Sequence, residues 1–342
     1  MILVTGGTGL VGSHFLFKLL ETNATVKAIY RREEKLALVK KVFSYYTDDV
    51  TSYYQRIEWI EADINDVPAL EEAFKNVDYV YHCAAFVSFE PDKYPQLRKI
   101  NIIGTANVVN LCISHQIKKL CYVSSIATIG HHQNPEHLIT EETHWNPDDD
   151  NSIYAITKYG AEIEVWRGTQ EGVDAVILNP GIIIGPGFWN SGGSSSLIKK
   201  VYKGMPYYTT GVTGYVDVDD VVKAMLLLMA SEIKNERFIV ISENLSFKEF
   251  LQQTALALNV KPPSKKASNT MLALGWRVDW LHRLFTGRRR RLSKQMTKSA
   301  RSITAYDASK LKNALNFEFK PMQKSIKETA KRYVEDLNKS TP

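Results

Sequence analysis

The sequence predicts an α/β protein built on a doubly wound parallel sheet, and three observations lead there. Over the first 180 of its 342 residues, short β-branched runs alternate with helix-like stretches. The runs are apolar throughout rather than every second residue, as strands covered by helices on both faces must be. The first run feeds straight into a glycine-rich turn that opens a helix.

In chain order, strands are expected at Ile2–Val4, Thr25–Tyr30, Ile57–Ile60, Tyr79–Cys83, Leu120–Val123 and Ala175–Leu178. Helical patterns of roughly ten to twenty residues separate them, the rhythm of βαβ units. Beyond Gly181 the order loosens, with Gly-Pro-Gly at 185–187 and a Ser/Gly loop at 190–196. A helix over Asp217–Ala230 and the strand-like Arg237–Ile241 read as sheet and sheet cover. The last hundred residues read mainly as helices. The chain therefore divides into a sheet domain over 1–180, to which 212–242 return, and a smaller, mainly helical part made of 181–211 and 243–342 that closes over the carboxyl edge of the sheet. No internal repeat is visible, and Arg288–Arg291 is the one low-complexity run.

Composition bounds the rest. At 44% hydrophobic and 23% charged the chain is globular, and its longest apolar run, Ala224–Ala230, is far short of the ~20 residues of a membrane span. Met1 is followed at once by Ile2-Leu3-Val4 and glycines, without the basic, apolar and small-residue order of a secretory signal, so a cytoplasmic protein is expected. Cys83, Cys112 and Cys121 fit no metal-ligand spacing and read as buried reduced thiols. The net charge of +6 is uneven: between Lys261 and Arg301 twelve Lys or Arg face the single Asp279, so that segment carries about +11 and the remainder about −5.

The glycine turn is Thr5-Gly6-Gly7-Thr8-Gly9-Leu10-Val11-Gly12. Glycines at this spacing let the backbone turn tightly and approach a pyrophosphate at the positive end of the following helix, while Gly12 lets helix and strand pack closely. An ordinary strand-to-helix turn would use glycines too; the strand before it and the helix after it favour a dinucleotide site. About two dozen residues on, where an acidic side chain would hold a free 2′-hydroxyl, the second strand ends instead in Arg31 and Arg32, with Lys35 one turn further. That set suits a 2′-phosphate, so NADP is favoured over NAD, against the bland reading of a solvated basic helix start. Asp63 and Ile64 after the third strand, and Ala84 and Ala85 after the fourth, are placed to touch the adenine and the middle of the dinucleotide.

Tyr154 and Lys158, four apart at the start of a helix, share one face, and an ammonium beside a phenol favours the phenolate. Such a pair is often mere surface packing. Ser124-Ser125, at the end of the preceding strand on the edge where ligands bind in such folds, raises its weight by supplying a hydroxyl to the same substrate oxygen.

The ordered set TGGTGLVG at 5–12, Asp63-Ile64, CAA at 83–85, NIIGTANVV at 101–109, YVSSIATIG at 122–130, YAITK at 154–158 and NPGIIIGPG at 179–187 resembles the extended short-chain dehydrogenases/reductases, the NAD-dependent epimerase/dehydratase family, over at least residues 1–230. Within it the chain is most similar to the dihydroflavonol-reductase and 3β-hydroxysteroid-dehydrogenase branch, through Arg31 and the YVSSI and NPGIIIGPG wording. The resemblance implies a Rossmann domain whose cofactor is held by Gly6, Thr8, Gly9, Leu10, Val11 and Gly12. It implies Tyr154 as general acid/base and as a contact of the cofactor, and Lys158 lowering its pKa and holding the nicotinamide ribose. Ser125, rather than Ser124, would polarise the substrate; Asn101 would support the site; Pro180, Gly181, Ile182 and Ile183 would line the nicotinamide. Dimers through the helices near 100 and 160 are usual in the superfamily. Asn179 departs from the pattern, standing where many nucleotide-sugar members have arginine.

Other features weigh less. His131, His132, His137 and His144 lie with Glu136, Glu141 and Glu142 after Ser125, yet no two of the histidines have helical ligand spacing and Pro135 and Pro147 mark loop, so no metal is expected and these residues border the substrate pocket instead. The 271–291 stretch, with Leu272, Trp276, Trp280 and Leu284 at helical spacing, reads as a lid over an apolar substrate, with peripheral membrane contact as the alternative. No groove-reading motif supports nucleic-acid binding. The expected activity is NADP(H)-linked interconversion of a ketone and a secondary alcohol on a small molecule. The alternatives are a nucleotide-sugar epimerase or dehydratase that keeps NAD bound, and a non-catalytic NADP-sensing protein.

Overall fold

The structure is a computed structural model describing residues 1–132, 137–191, 193–286 and 293–340. Pro135, Glu136, Gly192 and the Arg288–Arg291 run lie outside the described residues, as does the Leu284 side chain. The chain begins β1 (Ile2–Thr5), α1 (Leu10–Glu21), β2 (Val26–Tyr30), α2 (Leu36–Phe43), α3 (Val50–Gln55), β3 (Ile57–Glu61), α4 (Val67–Phe74) and β4 (Tyr79–His82). A long interrupted helix follows: α5 (Tyr94–Leu97), a π turn over Arg98–Ile103, and α6 (Gly104–Ser114). Then come β5 (Lys119–Val123), α7 (Ile153–Gln170), β6 (Ala175–Pro180), β7 (Ile182–Ile184), α8 (Ser195–Tyr202), β8 (Tyr207–Tyr208), β9 (Val212–Asp217), α9 (Val218–Ala230) and β10 (Glu236–Val240). The chain ends in β11 (Glu243–Ser246), α10 (Phe247–Ala257), β12 (Lys265–Lys266), α11 (Asn269–Thr286), α12 (Lys294–Ser299), α13 (Ser309–Leu315) and α14 (Met322–Ser340).

Seven strands form one parallel sheet in the order β10-β6-β5-β4-β1-β2-β3. The order reverses between β1 and β4, and a ligand crevice opens at the carboxyl ends of strands at such a switch point. The apolar runs are explained by burial on both faces. In β1, Leu3 enters the layer with Ile177, Val108, Val109 and Val165, while Val4 enters the opposite layer with Phe15, Leu16, Val222 and Met225. At roughly 1.5–3 kcal/mol for each large apolar side chain taken from water, these two layers dominate the stability of the sheet.

A second sheet, β11-β9-β7, was not expected from the sequence. β9 runs parallel to β7 and antiparallel to β11, so Val212–Asp217 lies in this smaller sheet, while α9 packs back onto α1 and β10 returns to the large one. Each of these strands is three to six residues long, and runs that short carry little periodicity to read. Among the described residues, no helix is long and apolar enough to cross a membrane.

Candidate active site

The glycine loop leaves β1 at the switch point. Gly6 holds φ +70°, a conformation that side chains rarely adopt, and a Cβ there would stand 2.5 Å from the backbone nitrogen of Ala84. A Cβ on Gly12 would stand 2.2 Å from the Gly6 carbonyl oxygen. Gly9 caps α1 with no side-chain hydrogen bond, so the first amides of the helix remain available to an outside acceptor. A close backbone cradle under an uncapped helix end fits a pyrophosphate. Thr8, Leu10 and Val11 stand in this turn, half-buried.

At the far end of the crevice, Arg31 donates to Asp63 at 3.2 Å across the ends of β2 and β3. Burial alone would raise the Asp63 carboxyl, but hydrogen bonds from Asn65 and Arg31 outweigh it and hold the group low. Lys35 is pulled down by burial and then by Arg32 and Arg31, so the three cations form one cluster; Arg32 also pairs with Glu34 at 3.4 Å. Ile64 is buried against α6, where a Cβ on Gly104 would meet it at 2.4 Å. Ala84 is half-buried and Ala85 exposed after β4.

Tyr154 occupies the first turn of α7, whose start is capped by Ser152 accepting from Ala155 at 3.0 Å. Burial raises its phenol and a hydrogen bond from Ser125 works against that rise; the positive end of the helix also favours the phenolate. The fold thus brings Ser125 and Tyr154 together across β5 and α7. Lys158, one turn along and 1% exposed, donates to the Tyr122 hydroxyl at 2.6 Å and the Val123 carbonyl at 3.0 Å. Burial pushes its ammonium down to about 7, against the pull of Glu162 and Cys83.

Asn101 sits in the π turn, 1% exposed. Its carboxamide clamps Phe86 from both sides, accepting from the amide at 2.8 Å and donating to the carbonyl at 3.0 Å, and also donates to Thr157 of α7 at 3.2 Å. Pro180 ends β6, and Gly181, Ile182 and Ile183 carry the chain into β7; a Cβ on Gly181 would lie 2.3 Å from the Gly214 oxygen.

Several polar residues around this site were missed by the sequence reading. Glu162, also 1% exposed, accepts from Ser124 at 2.6 Å, Thr128 at 2.7 Å, Asn179 at 2.9 Å and Arg237 at 3.2 Å. Asn179, wholly buried, spends its remaining donor contacts on Thr128 and the Ser125 carbonyl. Behind Lys158 runs a second buried cluster in which the Tyr122 ring stacks on His82, Thr105 lies 2.9 Å from His82 Nε2, and His82 Nδ1 lies 2.6 Å from Thr5. Burial and the Lys158 charge press His82 down to about 3, so the ring is neutral. The available signal was spacing: Tyr154, Lys158 and Glu162 put one polar residue per turn on the face of α7 that meets the sheet.

The histidines after Ser125 do not converge. His132 stacks edge-on against His137 and touches Thr143, whereas Glu141 is buried and caps the Ile239 amide at 2.7 Å. Of the 271–291 stretch expected as a lid, residues 271–286 lie in α11, whose Arg283 holds Asp92 at 2.7 Å and Glu90 at 3.3 Å, and 287–291 lie outside the described residues. Those acids directly follow Phe89, which packs edge-on against Tyr154 at 5.5 Å.

A switch-point crevice floored by such a loop, with Ser125 and Tyr154 at its edge, defines a dinucleotide-binding protein of the Rossmann class. The chain belongs to the NAD dependent epimerase/dehydratase family, whose sequence model matches residues 2–241. It is 28% identical to sterol demethylase protein B of Methylococcus capsulatus over 253 residues, 73% of this chain and 72% of that one. It is 29% identical over 282 residues to tetraketide alpha-pyrone reductase 2 of Arabidopsis thaliana, covering 78% and 85% of the two chains. UDP-glucose 4-epimerase of Thermotoga maritima shares the fold, with a TM-score of 0.75 at 22% identity over 98% and 99% of the two chains.

Proposed function

We propose that this chain catalyses reversible hydride transfer between NADP(H) and a ketone or secondary alcohol on a small apolar or mixed substrate. The observation that carries the reading is the meeting of Ser125, just after β5, with Tyr154, in the first turn of α7, at the carboxyl edge of the sheet beside the glycine cradle. The substrate carbonyl oxygen accepts from both hydroxyls, Ser125 orienting it and Tyr154 delivering the proton as charge develops there. With its pyrophosphate in the glycine cradle, a bound dinucleotide would supply the hydride. Lys158, one turn behind Tyr154, is held by the Tyr122 hydroxyl and the Val123 carbonyl and is not among the groups that lower the Tyr154 phenol in this structure, while Asn101 keeps Phe86 and α7 in register. Among the relatives, the reductase from Arabidopsis supports reduction over epimerisation. So does Asn179, which is turned inward onto Glu162.

NADP is the proposed cofactor because Arg31, Arg32 and Lys35 cluster after β2, a set of cations that suits a 2′-phosphate. The Rossmann domain is proposed to comprise 1–180 with 212–242, and the substrate-binding part 181–211 with 243–342. Homodimerisation through α6 and α7 is supported by the exposed Ile103, Ile156 and Ile163 on or beside those helices. Calorimetry with NADP and NAD side by side, followed by a carbonyl panel with NADPH, tests the function. NADP should bind at least tenfold tighter, and Arg31→Ala should erase most of that preference. Binding of NAD at least as tight as NADP would sink the cofactor assignment, and no NADPH consumption across the panel would sink the reductase.

A further inference from the structure

The outer face of α11 carries an apolar stripe that the fold does not cover. Leu272 is buried against the body of the protein, whereas Met271, Leu274, Val278, Leu281 and Phe285 are exposed, Phe285 by 86%, Leu274 by 63% and Val278 by 62%. Their spacing of three, four, three and four residues aligns all five along one side of the helix. One exposed leucine on a surface needs no explanation, but five large apolar side chains in register mark a surface that meets something.

The charge around the stripe says what. Arg277 lies on the helix beside it, and Arg301 donates to Asn269 at the helix start at 3.2 Å. Lys265, Lys266 and Lys294 are exposed on the neighbouring segments, Lys298 is exposed there too but paired with Asp150 at 2.8 Å, and Asp279 is the single acid in the chain between Lys261 and Arg301. Two copies meeting stripe to stripe would bring these cations against each other, which opposes self-association. An apolar stripe bordered by cations suits a surface that is apolar inside and anionic at its boundary.

We propose that this face of α11 docks on an anionic lipid bilayer, the five apolar side chains seated at the boundary of the acyl region and the surrounding lysines and arginines against lipid phosphates. The contact is peripheral and independent of the reductase reading, since it needs neither cofactor nor carbonyl substrate. On the opposite side of the helix, Arg283 ties α11 to the segment bearing Phe89, so the docked surface lies over the approach to Tyr154.

The test is co-sedimentation of the full chain with vesicles of phosphatidylcholine alone and of phosphatidylcholine mixed with phosphatidylglycerol, at low and high salt. The expected result is binding to the mixed vesicles, at least tenfold weaker to neutral ones, and weakened by salt. Leu274→Asp combined with Phe285→Asp should lose at least tenfold of that binding while keeping NADP affinity and thermal transition; Phe285→Ser, at the most exposed of the five positions, serves if the aspartates disturb folding. Absence of binding to the mixed vesicles, or undiminished binding by the variants, overturns the proposal. A wild-type dimer in sedimentation equilibrium that Phe285→Ser converts to monomer, without vesicle binding, assigns the face to a second copy instead.

Discussion

Lys158 is a cation enclosed by protein, and its neighbours decide how long it stays one. Burial presses its ammonium to about 7 from a usual value near 10.5, while the Tyr122 hydroxyl accepts one of its protons. Because a hydrogen bond to a charged group is worth about 1.5–3 kcal/mol, Tyr122→Phe is expected to lower the lysine pKa by about one unit or more. The basic limb of the kcat/KM profile should move to lower pH by that amount, with far-UV circular dichroism and NADP affinity unchanged. The same depression has a stability signature. Between the folded and unfolded pKa values the unfolded chain binds the extra proton, so stability of the cofactor-free protein rises with pH from about 7 towards 10.5. Lys158→Met should remove a slope of up to ~1.4 kcal/mol per pH unit, read by urea melts across that window. At the neighbouring position, Tyr154→Phe is expected to cut kcat by roughly 10²–10⁴-fold and leave the cofactor dissociation constant unmoved.

At the level of elements, α7 joins two kinds of work on one face. Its first turn presents Tyr154 to the crevice; two turns later Glu162 anchors Ser124, Thr128, Asn179 and Arg237 beneath the strand end that positions Ser125. Removing the anion leaves Arg237 without its carboxylate partner in a buried setting, so Glu162→Ala should cost about 3–5 kcal/mol, measured by chemical denaturation. The glycine turn, by contrast, was legible residue by residue, because each glycine answers a steric demand visible in the chain. Gly12→Ala would force its Cβ against the Gly6 oxygen and should weaken NADP binding by more than tenfold while the sheet still forms. Tyr122, Glu162 and Arg237 escaped the reading for an opposite reason. A tyrosine among Leu120, Cys121 and Val123 looks like core, and a glutamate on a long helix looks solvated, until tertiary contacts give them partners.

For the whole molecule, the large sheet could be read from its strands and the small one could not. Periodicity and the switch-point motif are local, whereas β7, β9 and β11 are short and pair only after distant segments meet. The terminal helices depend on one such meeting. Lys320 reaches Asp217 at 3.1 Å, Asp219 at 3.3 Å and Glu328 at 3.1 Å, tying the segment before α14 to the β9–α9 corner. With one of its acids nearly buried, Lys320→Met should cost about 2 kcal/mol and lower Tm by a few degrees. The π turn at Arg98–Ile103 has a further consequence. It amounts to one surplus residue inside an otherwise continuous rod from Tyr94 to Ser114, and helix phase advances about 100° per residue. Excising Lys99 alone would let that rod close into regular α-helix with α6 still seated, yet rotate Asn101 away from Phe86 and Thr157. Such a deletion mutant should keep its thermal transition and lose turnover, separating the geometry of catalysis from the integrity of the fold by the length of a single peptide unit.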